Sequence, residues 1–263
     1  MFIHPQFDPV AFSIGPLSVR WYGLAYLAGF AFFWLFGRYR AREAWRGISI
    51  EGLEDLLFFG MLGVIVGGRL GFCFFYQPQW FAEHPADILK VWQGGMSAHG
   101  GIIGVIVAMA FYSVKTHTAF LRVADFVVPL VPLGLFFGRI GNFINGELWG
   151  RVADPALPWA MIFPQSGTFA ARHPSQLYEA IAEGLFLFVL LWVYSTKPRK
   201  PGSVAALFCV GYAVARFVVE FFREPDAYLG LGMLGFSRGQ WLTLPVLVVG
   251  LVLFWISRNK KNT

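Results

Sequence analysis

Seven stretches of this chain, about 21–37, 56–76, 98–114, 123–144, 177–195, 203–222 and 239–257, are almost continuously apolar. Roughly 20 such residues make one crossing of a bilayer. Lipid offers backbone N–H and C=O groups no partner, so a crossing segment is either a helix or part of a closed barrel. The period-two alternation of barrel strands is absent, and each stretch is expected to be a helix. Only 14% of the residues are charged, against about 25% in soluble domains. The expected fold is an all-α membrane protein, seven transmembrane helices in one integral membrane domain spanning residues 1–263.

Basic residues set the expected orientation. Arg38, Arg40, Arg42 and Arg46 follow the first stretch, and Lys115 and Arg122 separate the third from the fourth. Lys197, Arg199 and Lys200 separate the fifth from the sixth, and Arg258, Lys260 and Lys261 close the chain. These twelve, of 21 Lys and Arg, fall on one side, which the positive-inside rule makes cytoplasmic. The N-terminus is then periplasmic and the C-terminus cytoplasmic, as in a multi-pass protein of the bacterial inner membrane. The net charge of +6 is accounted for by this placement, and no nucleic-acid partner is expected. Residues 1–16 lack a basic segment and a small-residue cleavage site, so no removable signal peptide is expected. Cys73 and Cys209 lie in apolar stretches and read as inert core residues. Two long loops on the outer side, about 77–97 and 145–176, are rich in Pro and Trp, and long loops tend to be functional.

The chemically unusual residues collect toward that outer end. Gly138 to Arg151 reads GRIGNFINGELWGR and closes the fourth stretch. A bilayer-buried arginine costs several kcal/mol and is usually functional. Arg139 and Asn142, three apart, share a helix face, and Glu147, Gly150 and Arg151 follow in a glycine-rich exit. A guanidinium fork matches phosphate oxygens, although an arginine at a helix end can also simply snorkel to the surface. Tyr212, Arg216 and Glu220, spaced by four, form one stripe on the sixth stretch. Arg216 and Glu220 read either as a structural ion pair or, with Arg223 beyond them, as part of an anion site. Arg69 offers a third buried guanidinium, unless its neighbours Gly67, Gly68 and Gly71 serve only helix packing. His99 sits among glycines at a helix start, where the dipole favours the neutral imidazole a general base needs. His173 reads as part of a helix start capped by Ser175. Trp21, Tyr22 and Tyr26 read as an interfacial aromatic belt, with Tyr76 as a further anchor. His4, His84 and His117 have no companions, and no metal site is expected.

Several segments together identify a family. Gly138–Arg151, Trp21-Tyr22-Gly23-Leu24, Gly67-Gly68-Arg69, Gly94 to Gly101 (GGMSAHGG), His173 to Glu179 (HPSQLYE) and Arg216 to Asp226 (RFVVEFFREPD) resemble the signature of the bacterial prolipoprotein diacylglyceryl transferases. The resemblance covers essentially the whole chain. It implies transfer of the diacylglyceryl group of phosphatidylglycerol to the lipobox cysteine thiol of a prolipoprotein signal peptide. sn-Glycerol 1-phosphate would leave and a thioether would form, with no metal or diffusible cofactor. By that resemblance Arg139 and Arg216 hold the phosphate, and Glu220 orients Arg216. Asn142, Glu147 and Gly150 shape the headgroup pocket with Tyr22 beside it. His99 is the candidate base, and Arg69, Tyr212 and Arg223 are further substrate-binding candidates.

Two other readings compete. A transporter of an anionic lipid or peptide would also place arginines in the membrane. Against it stand an odd number of stretches without an inverted repeat and polar residues confined to one half of the membrane. A headgroup transferase would use the same lipid but cleave its P–O rather than its C–O bond.

Overall fold

The computed structural model describes residues 2–15, 17–225 and 232–259; Asp226, Lys260 and Lys261 lie outside them. The chain forms two compact units, one of residues 37–126 and one of residues 1–36 with 127–263. Its helices are α1 (Trp21–Ala41), α2 (Ile50–Phe75), α3 (Pro78–Glu83), α4 (Ala98–Thr116), α5 (Phe120–Val127), α6 (Val131–Ile144), α7 (Ser175–Tyr194), α8 (Ser203–Val219) and α9 (Arg238–Asn259). Among the described residues five short strands accompany them: β1 (Phe2–Ile3), β2 (Val10–Ile14), β3 (Leu17–Arg20), β4 (Met161–Ile162) and β5 (Ala171–Arg172).

A helix lies on each of the seven apolar stretches. Four of them (α2, α4, α7 and α9) are long and apolar enough to cross a membrane. The stretch expected as one span over 123–144 is two helices, α5 and α6, bent by 45° at a short break; taken together they make a fifth. Pro129 sits in that break and Pro132 begins α6. A proline lacks the N–H of the helical ladder and its ring clashes with the preceding turn, which breaks the helix there. α8 is shorter, at 17 residues, and α1 ends in Arg38 and Arg40. The protein is a mostly helical membrane protein.

In the unit of residues 37–126, Ser49 and Ser97 start α2 and α4 by accepting from the Gly52 and Gly100 amides at 3.1 and 3.2 Å. The two helices then pack backbone to backbone. A Cβ at Gly63 or Gly67 would collide with the Gly104 or Gly100 carbonyl, and the reverse holds for Gly100 and Gly104. Where lipid supplies no hydrophobic drive between helices, such close approach is what holds them together. Loop 77–97 is not irregular. It folds as α3 and two 3₁₀ turns, clamped by buried Arg69, whose guanidinium donates to the carbonyls of Asp87, Ile88, Gly94 and Gly95.

In the other unit, β1 runs parallel to β4, which pairs antiparallel with β5. His4, almost wholly buried, locks this sheet to the end of α6. Its Nε2 lies 2.6 Å from the Phe143 carbonyl oxygen, and its ring stacks on Phe163. Loop 145–176 is thereby folded back beside the α6 terminus.

Candidate active site

α6 presents Arg139 and Asn142 from one face, and α7 presents Glu179 and Glu183, both wholly buried. The turns of α7 from Ala180 to Phe186 are π-helical. A π turn holds more residues than an α turn and is frequent at functional sites. Here the wider turn helps bring two carboxylates four residues apart to one side. Gly184 leaves the space for Phe136 of α6, so the two helices approach closely.

The carboxylates meet three arginines. Glu179 Oε2 lies 3.0 Å from Arg139 Nε. Glu179 Oε1 accepts from Arg216 Nη1 and, at 3.1 Å, from Arg223 Nη1. Glu183 lies 3.4 Å from Arg139 Nη2 and 3.4 Å from Arg216 Nη1. Just past the end of α8, Glu220 Oε2 pairs with Arg216 Nη2 at 2.7 Å. Ser237, just before α9, donates to Glu220 Oε1 at 2.8 Å, and Gly239 leaves room for that carboxylate. Three guanidiniums and three carboxylates balance in charge. Burying such groups is tolerable only when they are paired and hydrogen-bonded. The arginines therefore find their anions inside the protein, and Arg216–Glu220 is one edge of a larger network.

The two partners are not equally hidden. The side chains of Arg139, Arg216 and Arg223 are 18%, 12% and 12% exposed, whereas those of Glu179 and Glu183 are at 0%. Carboxylates lie beneath and guanidiniums on top. Each guanidinium has five N–H donors in a rigid fork, so the donors that the carboxylates do not take remain for an oxyanion. Whatever reaches this layer meets oriented donors.

The glycine-rich exit is built by hydrogen bonds within the protein. Asn142 Nδ2 donates to Glu147 Oε1 at 2.8 Å, and Asn145 Nδ2 is 3.5 Å from the same oxygen. Gln176 Nε2 donates to the Glu147 carbonyl, and Ser175 Oγ to that of Leu148. Ser175 is thus a loop anchor rather than the expected helix cap. The Gly150 amide donates to the His173 carbonyl, and a Cβ there would strike the His173 and Phe222 carbonyls. The Arg151 amide and side chain donate to Phe222 O and Arg223 O, and Arg172 donates to Gly150 O and Glu224. These bonds fix Arg223 beside Glu179. Tyr22 of α1 packs on Gly141 and edge-on against Tyr26, while Tyr212 stacks on Phe208. His173 Nδ1 lies 3.1 Å from Tyr178 Oη, and burial lowers the imidazole pKa, favouring its neutral form.

One unit thus contains Tyr22, Arg139, Asn142, Glu147, Gly150, Tyr212, Arg216, Glu220 and Arg223. Arg69 and His99 belong to the other. His99 is exposed in the first turn of α4, behind the Ser97 cap. Arg69 is committed to the four carbonyls of loop 77–97. Glu183 lies outside every sequence motif, and Glu179 is the last residue of HPSQLYE. Yet they are the only charged residues in the stretch 177–195, and two acids in an apolar helix call for cations. Among the described residues no group of three or more His, Cys, Asp or Glu is placed to hold a metal ion.

The chain matches the family model described as prolipoprotein diacylglyceryl transferase over residues 9–256. It is 56% identical over 262 residues to the phosphatidylglycerol–prolipoprotein diacylglyceryl transferase of Dechloromonas aromatica, covering 100% of both chains. It is 57% identical over 261 residues to the protein of that name from Nitrosomonas europaea, covering 98% of this chain and 93% of the relative. To the Paracidovorax citrulli protein of the same name it is 53% identical over 266 residues, 97% of each. Full-length identity at this level, together with a family match running through every helix, means that this chain belongs to the prolipoprotein diacylglyceryl transferase family.

Proposed function

We propose that the protein transfers the diacylglyceryl group of phosphatidylglycerol to the lipobox cysteine thiol of a prolipoprotein. The thiolate sulfur attacks the carbon of the diacylglyceryl moiety that is bonded to the phosphate ester oxygen. A C–S bond forms, the C–O bond breaks, and glycerol phosphate leaves with the bonding pair. The observation that carries this reading is the layer of partly open guanidiniums on wholly buried carboxylates. Donors held in place before reaction stabilise the charge that grows on the leaving oxygen, and they do so best where water is scarce.

Arg139 and Arg216 hold the phosphate in this reading, with Arg223 at its edge. Glu179, Glu183 and Glu220 are positioning residues that aim the forks. The glycerol headgroup carries hydroxyls that need acceptors. Asn145 Oδ1 and Gln176 Oε1, both buried beside the Glu147 segment, have no hydrogen-bond partner among the described residues, and they suit that role. Asn142, Glu147 and Gly150 shape this segment, and Tyr22 and Tyr212 supply aromatic walls. His99 is the candidate that takes the thiol proton, on the strength of its place in a helix first turn. Arg69 acts through loop 77–97, which it pins.

We further infer seven crossings in the bacterial inner membrane, with a periplasmic N-terminus, a cytoplasmic C-terminus and the reaction on the periplasmic side. The twelve basic residues on one side support this. Impermeant thiol reagents should label cysteines placed at Gln93 and Asp154 in intact cells and spare one at Lys200; labelling at Lys200 would reverse the orientation. The reaction itself is tested by supplying purified protein with phosphatidylglycerol and a lipobox peptide. Glycerol phosphate and a thioether-linked diacylglyceryl peptide should appear in equal amounts. Release of diacylglycerol instead, with phosphoglycerol on the acceptor, would mean P–O cleavage and a headgroup transferase, and lipid movement without any of these products would mean a transporter.

A further inference from the structure

The start of α9 is wired to the arginine cluster. Ser237 stands in the capping position before Arg238, and its carbonyl accepts from the Trp241 amide at 3.2 Å. With Gln240 three residues on, it closes a reciprocal capping box. The Gln240 amide donates to Ser237 Oγ at 3.2 Å, and the Ser237 amide donates to Gln240 Oε1 at 3.0 Å. Both residues are buried. Gln240 Nε2 also reaches the Phe217 carbonyl at 3.4 Å, which ties the box to the turn of α8 that carries Arg216.

A serine hydroxyl carries one proton. Since Ser237 Oγ already receives the Gln240 amide proton, its own proton points elsewhere, and it goes to Glu220 Oε1 at 2.8 Å. Glu220 Oε2 in turn pairs with Arg216 Nη2 at 2.7 Å. One directed chain therefore runs from the Gln240 amide through Ser237 and Glu220 to the Arg216 guanidinium. Linked hydrogen bonds of this kind strengthen one another in a low-dielectric interior. Gly239 completes the fit, because a Cβ there would lie 2.5 Å from Glu220 Oε1. Capping alone would be met as well by Asp or Gly; donating to a carboxylate needs the hydroxyl.

We propose that Ser237 is a positioning residue of the transfer reaction: held by Gln240, its hydroxyl fixes Glu220, and Glu220 fixes the fork of Arg216. The inference rests on the reading of Arg216 as a holder of the phosphate. Ser237→Gly is the discriminating variant, because glycine caps a helix nearly as well as serine but has no hydroxyl. Transfer from phosphatidylglycerol to a lipobox peptide is measured per folded molecule, beside unfolding midpoints in the same detergent. In Ser237→Gly, kcat and kcat/KM should fall together by about 10- to 100-fold, the scale of a misplaced catalytic group, while the midpoint moves little. Ser237→Thr restores the donor and should recover most of the rate. Gly239→Ala puts a methyl where the carboxylate lies and should lower kcat in the same way. A serine that only capped α9 would change the folded fraction and leave kcat per folded molecule at the parent's value. Parental kcat in Ser237→Gly or Gly239→Ala, or a loss in Ser237→Thr as large as in Ser237→Gly, would overturn the proposal. Arg216→Lys keeps the two readings apart. If it loses transfer while Ser237→Gly does not, the role of Ser237 alone falls; if it transfers like the parent, the phosphate assignment falls and this inference with it.

Discussion

Arg139 and Arg216 sit on opposite oxygens of one carboxylate: Glu183 Oε2 is 3.4 Å from Arg139 Nη2, and Glu183 Oε1 is 3.4 Å from Arg216 Nη1. Glu179 repeats the arrangement one turn away, with Oε2 on Arg139 and Oε1 on Arg216. Two acids from α7 therefore fix the separation of two cations from α6 and α8. Spacing between oxyanion-binding forks is what a preorganised site needs.

That role makes Glu183 a positioning residue with a measurable signature. Glu183→Gln keeps the shape of the side chain and removes its charge, so both forks lose one anchor. Misplacement of catalytic groups by about 1 Å commonly costs on the order of 100-fold in rate. The variant should insert and fold, and its kcat should drop by about that factor with a smaller change in KM. Wild-type turnover in Glu183→Gln would remove Glu183 from the site.

At the end of α8, Arg216 and Glu220 look in the sequence like a self-contained pair, and the structure shows why they are not. Arg216 also faces Glu179 and Glu183, while Glu220 accepts from Ser237. Replacing both by apolar residues, Arg216→Met with Glu220→Leu, leaves those two acids short of a cation. Breaking buried pairs costs about 3–5 kcal/mol, and the double variant should lose stability on that scale as well as transfer. Thermal unfolding in detergent checks it. A double variant as stable as the parent would show that Arg216–Glu220 stands alone.

This contrast marks how far the sequence is legible. Apolar length puts a helix on each of the seven stretches, because lipid leaves the backbone few options, whereas α3 lies in what reads as a loop and the stretch 123–144 is two helices. The local stripe Tyr212–Arg216–Glu220, with Arg223 beyond it, and the motif around Arg139 identify four of the six charged members of the cluster. The other two, Glu179 and Glu183, depend on α6, α7 and α8 meeting, which no local pattern encodes. The pairing of β1 with β4 joins residues 2–3 to 161–162, a separation that periodicity cannot register. Arg69 reads as a buried guanidinium awaiting an anion; its true partners are backbone carbonyls, which every residue carries and no sequence motif advertises. The break between α5 and α6 was within reach, since Pro129 and Pro132 are in plain view.

Packing of α2 on α4 offers a test apart from the chemistry. A methyl at Gly67 would run into the Gly100 carbonyl, whereas one at Gly60, on the same helix, meets nothing within 4 Å. Gly67→Ala should destabilise the protein by about 1–3 kcal/mol, as overpacking does. Gly60→Ala should be neutral or slightly stabilising, since alanine favours the helix by up to about 1 kcal/mol. Unfolding midpoints of the two variants in one detergent decide the matter, and equal midpoints would mean that the glycine contact carries no weight.

The most direct test of the account is the exchange of one fork for one point charge. Purified Arg139→Lys and Arg139→Ala are compared with the parent for phosphatidylglycerol binding and for single-turnover transfer to a lipobox peptide. A lysine keeps the charge balance against Glu179 and Glu183 but loses the planar donors that address two oxygens at once. The account predicts that both variants fold, that Arg139→Ala transfers nothing, and that Arg139→Lys recovers little of the rate. Turnover near the parent's in Arg139→Lys would contradict the fork, and turnover near the parent's in Arg139→Ala would remove Arg139 from the reaction altogether.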